Sequence, residues 1–271
     1  MTTTDSALEI TRSVRLPFRL ERAELLKLRK SRGVWIPTTL LTIGAIVVMY
    51  IALELFHAFN PGRYGPVGGL SNFSNALMLM GQLGGMVAAA LVGAAAGTQD
   101  SGSRVFRDLV SSGCSRTRLF SARIGGGLAL LLPFVATGYV IATVLCVTFA
   151  GNEPTPSTTL FIKAGLWVLF STSVVYLVAL GLGSLLGSRA ATISVLIAYL
   201  LPVQGILHAI DALGRSRDAL LSVAMEGLSP LPPSDARDLI FVSHTTSLIV
   251  LALWVGIPVS LGLWRTRARD A

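Results

Sequence analysis

Charged residues are scarce in this chain of 271 residues: Asp, Glu, Lys and Arg make up 13%, against 52% hydrophobic residues. A soluble domain carries about a quarter charged residues, so this sequence cannot clothe itself for water and the soluble classes are excluded. Cysteine is equally sparse. The two present, Cys114 and Cys146, fall on opposite sides of the membrane in the reading below, which excludes a bridge between them. The three histidines, His57, His208 and His244, are too scattered to spell a ligand pattern. There is no GxxxxGK[ST] loop, no HExxH, no CxxC pair and no nucleophile elbow. Nucleotide hydrolysis by a P-loop, zinc hydrolysis and dithiol chemistry therefore find no residues here. No catalytic, cofactor or metal site is assigned, and the chain reads as a non-enzyme.

What the chain has instead is apolar length. Six runs, at 34–56, 76–97, 124–150, 160–186, 192–210 and 246–264, come close to or exceed the roughly 20 residues that a helix needs to cross about 30 Å of hydrocarbon. The fold expected is all-α: a polytopic bundle of six transmembrane helices. Its domains are a cytoplasmic N-terminus at 1–33, the membrane domain at 34–264 and a tail at 265–271.

Basic residues orient the bundle. Arg12 to Arg32 precede the first run, Arg104 to Arg123 lie between the second and third, and Arg265, Arg267 and Arg269 follow the last. Most of the 22 Lys and Arg residues thus fall on one side, which the positive-inside rule makes cytoplasmic, with both termini. The net charge of +8 suits anionic membrane lipids. Without an aromatic-interleaved basic groove it does not point to nucleic acid.

Between the runs, residues 17–32 predict an interfacial helix, Pro17 suiting its start. Residues 60–71 read as a turn-laden outer loop and 151–157 as a tight hairpin connection. Residues 211–243 form the one sizeable outer region, where 219–225 and 237–242 predict short helices on or dipping into the outer leaflet. Gly81, Gly85, Ala89, Gly93 and Gly97 recur every four residues and make a face of small side chains that admits a second helix backbone. Ordinary packing within the bundle is the favoured partner for that face, ahead of a homodimer seam or a sliding surface. Ala179, Gly183 and Gly187 repeat the device in the fourth run. Glu54 and Lys163 lie near helix ends, and no ionisable residue is expected at mid-membrane depth. That counts against a gradient-driven carrier.

The basic loop at 98–123 predicts a helical turn set over 105–110, a Ser-Ser-Gly break, and a second helical start at Ser115. Asp100, Gly102, Arg104, Leu109, the Ser115-Arg116 pair and Arg123, together with the run from Glu21 to Arg32, resemble the permease subunits of ABC-2 type exporters in order and placement. Asp100, Gly113 and Arg123 stand where Glu, Pro and Lys are common in that family. The resemblance implies a connecting helix at 17–32 and a coupling helix at 104–112. Asp100, Arg104, Arg107, Asp108 and Arg116 would face a separate cytoplasmic ABC ATPase, which binds the ATP. It also implies a second permease copy or a related permease, and export of a substrate across the plasma membrane. Asn72, Asn75, Gln82 and Gln204 are polar candidates for the path, although helix capping or interhelical hydrogen bonding is the favoured role for each. The alternatives are an ion-gradient transporter and a non-transporting membrane anchor or sensor.

Overall fold

The computed structural model describes residues 16–99, 115–231 and 242–268. Asp100, Arg104, Arg107 and Asp108 lie outside them, as do the expected helical turn set at 105–110, Cys114 and most of the expected helix at 237–242. All regular structure among the described residues is helical. Helix α1 (Leu16–Lys30) leads into α2 (Arg32–Phe59), α3 (Gly69–Thr98), α4 (Arg116–Thr148), α5 (Thr158–Leu186) and α6 (Arg189–Ala209). A 3-10 stretch (Asp211–Ala219), α7 (Leu221–Glu226) and α8 (His244–Ala268) follow. Helices α2 to α6 and α8 are each long and apolar enough to span a membrane, so the chain is a multi-pass α-helical membrane protein.

Local chemistry sets the helix ends. Ser115, Ser157 and Ser188 cap α4, α5 and α6, their hydroxyls accepting from the backbone N–H of Arg118, Leu160 and Ala191. Each satisfies one of the donors that a helix start leaves unpaired. Gly187 closes α5 at φ 71°, a left-handed cap that glycine enters without a Cβ penalty. It turns the chain into α6 within two residues.

Helices α3 and α5 form the centre. Two-thirds of the apolar window of each is buried, against 17–33% for the other four spans. The face Gly81–Gly85–Ala89–Gly93–Gly97 meets α5 inside the same chain. A Cβ at Gly93 would lie 2.5 Å from the Tyr176 carbonyl oxygen and 2.6 Å from the Ala179 Cβ, and one at Gly97 would lie 2.6 Å from the Leu180 carbonyl oxygen. Gly183 meets Ala94 and Gly97 in turn. Lipid tails are as apolar as leucine, so close backbone approach and dispersion hold such a pair together.

Three spans contain a π turn: Leu40–Gly44 in α2, Leu79–Gly84 in α3 and Tyr199–Val203 in α6. Pro202 lies inside the last, where it removes one donor from the ladder. The first two touch: a Cβ at Gly84 would sit 2.4 Å from the Leu41 carbonyl oxygen. π turns widen a helix locally and leave carbonyls out of register. Here they fall where α3 and α6 part company. The two helices pack through Arg189–Ala198 and Gly85–Thr98 and diverge beyond.

Helix α1 lies against the start of α4. Gly125 and Gly126 make the fit, a Cβ on Gly126 standing 2.7 Å from the Glu24 Cβ, while Gly127 faces α5, where a Cβ would meet the Tyr176 hydroxyl. That hydroxyl donates to the Arg123 carbonyl, 2.6 Å away. The packed face of α1 thus carries Glu24 beside the fully buried Leu28, while Leu26 is exposed. This explains why no clean apolar stripe is visible in its sequence.

One expectation about the outer side changes and another is narrowed. Residues 60–71 are not all loop, because α3 begins at Gly69 with φ 82°. Its first turn is tied to the neighbouring connection by Gly68 N–H to the Phe149 carbonyl (2.8 Å) and Leu70 N–H to the Pro154 carbonyl (3.0 Å). Of the two placements expected for 219–225, on the outer leaflet or dipping inward, the segment takes the inward one. Leu221, Val223, Ala224 and Met225 are fully buried, inside the bundle.

Candidate functional site

The segment after α6 turns back toward the centre of the molecule. The Ala219 carbonyl accepts from the Trp254 indole N–H at 2.9 Å, near the middle of α8. The Leu221 N–H donates to the Tyr199 hydroxyl at 3.3 Å, at the middle of α6. The Met225 carbonyl accepts from the Trp167 indole N–H at 2.9 Å. Glu226 then reaches Gln82, whose side-chain amide donates to Glu226 Oε1 at 3.1 Å, near the midpoint of the 30-residue α3. Each span midpoint lies about half a membrane thickness from either surface. Helix α7 is therefore re-entrant, and its backbone is tolerable at that depth because protein donors and acceptors surround it, whereas the 3-10 stretch before it is largely exposed.

The re-entrant turn floors a cavity of about 800 Å³ between the diverging halves of α3 and α6. Its apolar wall includes Met49, Leu77, Leu83, Trp167, Leu200 and Leu231. The polar groups are Ser74, Asn75, Gln82, Gln204, His208, Ser222, Glu226 and Ser229. No Lys or Arg lines it among the described residues, although the chain carries eight more positive than negative charges. Burial raises the Glu226 carboxyl above the ordinary carboxylate range, against the opposing pull of nearby His208 and of the Gln82 hydrogen bond. Gln204 is 7% exposed, and its side-chain oxygen has no hydrogen-bond partner. A buried acceptor of this kind costs about 1–3 kcal/mol unless a donor satisfies it.

The polar path candidates separate here. Asn75, Gln82 and Gln204 line the cavity. Asn72 instead donates to the Pro66 carbonyl at 3.1 Å and accepts from the Asn75 amide at 3.3 Å, beside a smaller outer cavity of about 250 Å³ that also touches Arg63, Tyr64 and Glu153. Gln82 bonds to a side chain of another helix, and Asn72 bonds locally. Gln204 makes neither kind of bond through its oxygen.

Sequence reasoning missed Glu226, His208 and Trp167. It placed Glu226 in an outer loop and so found no ionisable group deep in the bundle; the structure corrects that. A signal was present, since Glu226 is the single charged residue between Ala219 and Leu231, an otherwise apolar and small-residue stretch. What could not be read was that this stretch folds inward. The histidines do not come together as a metal site, and no cluster of three His, Cys, Asp or Glu side chains occurs among the described residues. Cys146 is buried, and its thiol donates to the Gly69 carbonyl at 3.3 Å.

On the basic face, Arg116 is half-buried at the start of α4 and donates to the Arg267 carbonyl at the end of α8. Arg189 donates to the Gly33 carbonyl at 2.8 Å, tying α6 to the start of α2. These bonds link the ends of four spans. No model of a known protein family matches the sequence, and a comparison with curated proteins finds no significant match.

Proposed function

We propose that this chain is the membrane-spanning permease subunit of an ATP-driven exporter of the ABC-2 type. ATP hydrolysis belongs to a separate cytoplasmic subunit, and the cavity above α7 receives the cargo. The observation that carries this reading is the splayed pair α3 and α6. They pack through Arg189–Ala198 and Gly85–Thr98, and their other halves line the cavity. A force applied to the loop at the foot of α3 and α4 would act on the arms of that cavity. The π turns at Leu79–Gly84 and Tyr199–Val203 are the compliant points at which the arms would bend. Helix α1, wedged against the start of α4, would brace the same loop. The functional assembly would contain a second permease copy or a related permease.

The test is co-purification of the tagged full-length chain from its native membrane in mild detergent, with the retained proteins identified by mass spectrometry. Wild type is run beside Arg107→Glu/Arg116→Glu. A P-loop ATPase retained by wild type and lost from the variant is the expected result. Absence of any ATPase from wild type in several detergents refutes the reading.

A second reading, an ion-gradient transporter, gains support from one observation. Glu226, with its raised carboxyl pKa beside His208, supplies the protonatable group at depth that such carriers require. Transport driven by an imposed pH gradient in vesicles that contain this chain alone would favour that reading.

A further inference from the structure

We infer that the cavity between α3, α6 and α7 is a binding site for amphiphilic amines, the ammonium head on Glu226 and Gln204 and the apolar body on the Trp167 side. The inference rests on the cavity being the cargo chamber.

Three observations select that class. Two acceptors that face the cavity have room for a donor: one Glu226 oxygen accepts from Gln82, and a carboxylate keeps further acceptor capacity. The Gln204 oxygen is buried and has no donor at all. An ammonium offers three N–H donors and so meets both groups, whereas a carboxylate or phosphate would add acceptors to acceptors. The charge of the wall points the same way. Glu226 is the one formally charged described residue lining the cavity, and a cation beside it replaces lost hydration with a charge-assisted bond. An anion finds no Lys or Arg there. The apolar part of the wall is thioether, leucine and indole, and the volume falls in the range that holds drug-sized ligands. A small inorganic cation would leave that wall unused.

The experiment uses the full-length chain in nanodiscs of neutral phosphatidylcholine, without ATP or any partner. Three probes share one apolar body: 4-phenylbutylammonium, its N-trimethyl derivative and 4-phenylbutanol, each measured by equilibrium binding against empty nanodiscs. Wild type is expected to bind the ammonium at least tenfold tighter than the alcohol. Glu226→Gln should bring the ammonium to the level of the alcohol and leave the alcohol unchanged. Gln204→Leu should weaken the ammonium several-fold without weakening the trimethyl derivative, which has no N–H to give. Equal wild-type affinity for ammonium and alcohol overturns the inference, as does undiminished ammonium binding by Glu226→Gln. Should that variant fail to give a monodisperse sample, the wild-type comparison decides alone. No ATPase takes part, so failure here removes the ligand class and leaves the co-purification result untouched.

Discussion

The contact between Gly81 and Trp167 offers a quantitative check on how the cavity wall is held. A Cβ added at Gly81 would lie 2.2 Å from Trp167 Cζ3 and 2.5 Å from Cη2, well inside van der Waals contact. The ring cannot swing away freely, because Trp167 is 6% exposed and its indole N–H is bonded to the Met225 carbonyl. Overpacking of this kind costs about 1–3 kcal/mol, offset in part by the roughly 1 kcal/mol that alanine gains over glycine in a helix. Gly81→Ala should therefore destabilise by about 0–2 kcal/mol. Trp167→Phe removes both clashing atoms but leaves the Met225 carbonyl without its donor and opens a gap, for about 2–3 kcal/mol. Combined, the new methyl occupies space that the indole vacated. The double variant should then be more stable than the sum of the singles by about 1 kcal/mol or more. Denaturant unfolding in mixed micelles, followed by far-UV circular dichroism, reads all four corners of the cycle. Additivity within about 0.5 kcal/mol would refute the contact, and with it the placement of α5 behind the cavity.

Further expectations concern the site and the seams. Because the Glu226 carboxyl is raised by burial, the native state holds a proton that the unfolded chain has already lost across the interval between the two values. Stability should fall as pH rises through that interval, and Glu226→Gln should flatten the dependence of thermal midpoint on pH; an unchanged slope would contradict the burial. Gly187→Ala places a Cβ at φ 71° and should cost about 1–2 kcal/mol, seen as a lowered thermal midpoint. Gly93→Leu, driven against the Tyr176 carbonyl and Ala179, should abolish monodisperse expression, whereas Gly205→Leu, with open space around its Cα, should not.

The six spans, their order and the basic face were legible in the sequence because hydrophobic length and loop charge act through the solvent, not through particular neighbours. The four-residue glycine repeat was legible as a close-packing surface, since small side chains every four residues share one helix face. Its partner was decided only by the tertiary structure: Tyr176, Ala179 and Leu180 of α5 supply the opposing backbone, roughly 90 residues away in sequence. The same division separates the site residues. Gln82 and Gln204 stood out as polar groups in apolar runs, while Glu226 belonged to a segment whose composition fits an outer loop equally well. What carries it to mid-bundle depth is a set of long-range hydrogen bonds, from Trp254, Tyr199 and Trp167 to the backbone of residues 219–225. Each tryptophan or tyrosine satisfies a backbone group that lipid would leave unpaired. Composition determined that this chain lives in a membrane; only the meeting of residues distant in sequence determined that a carboxylate enters with it.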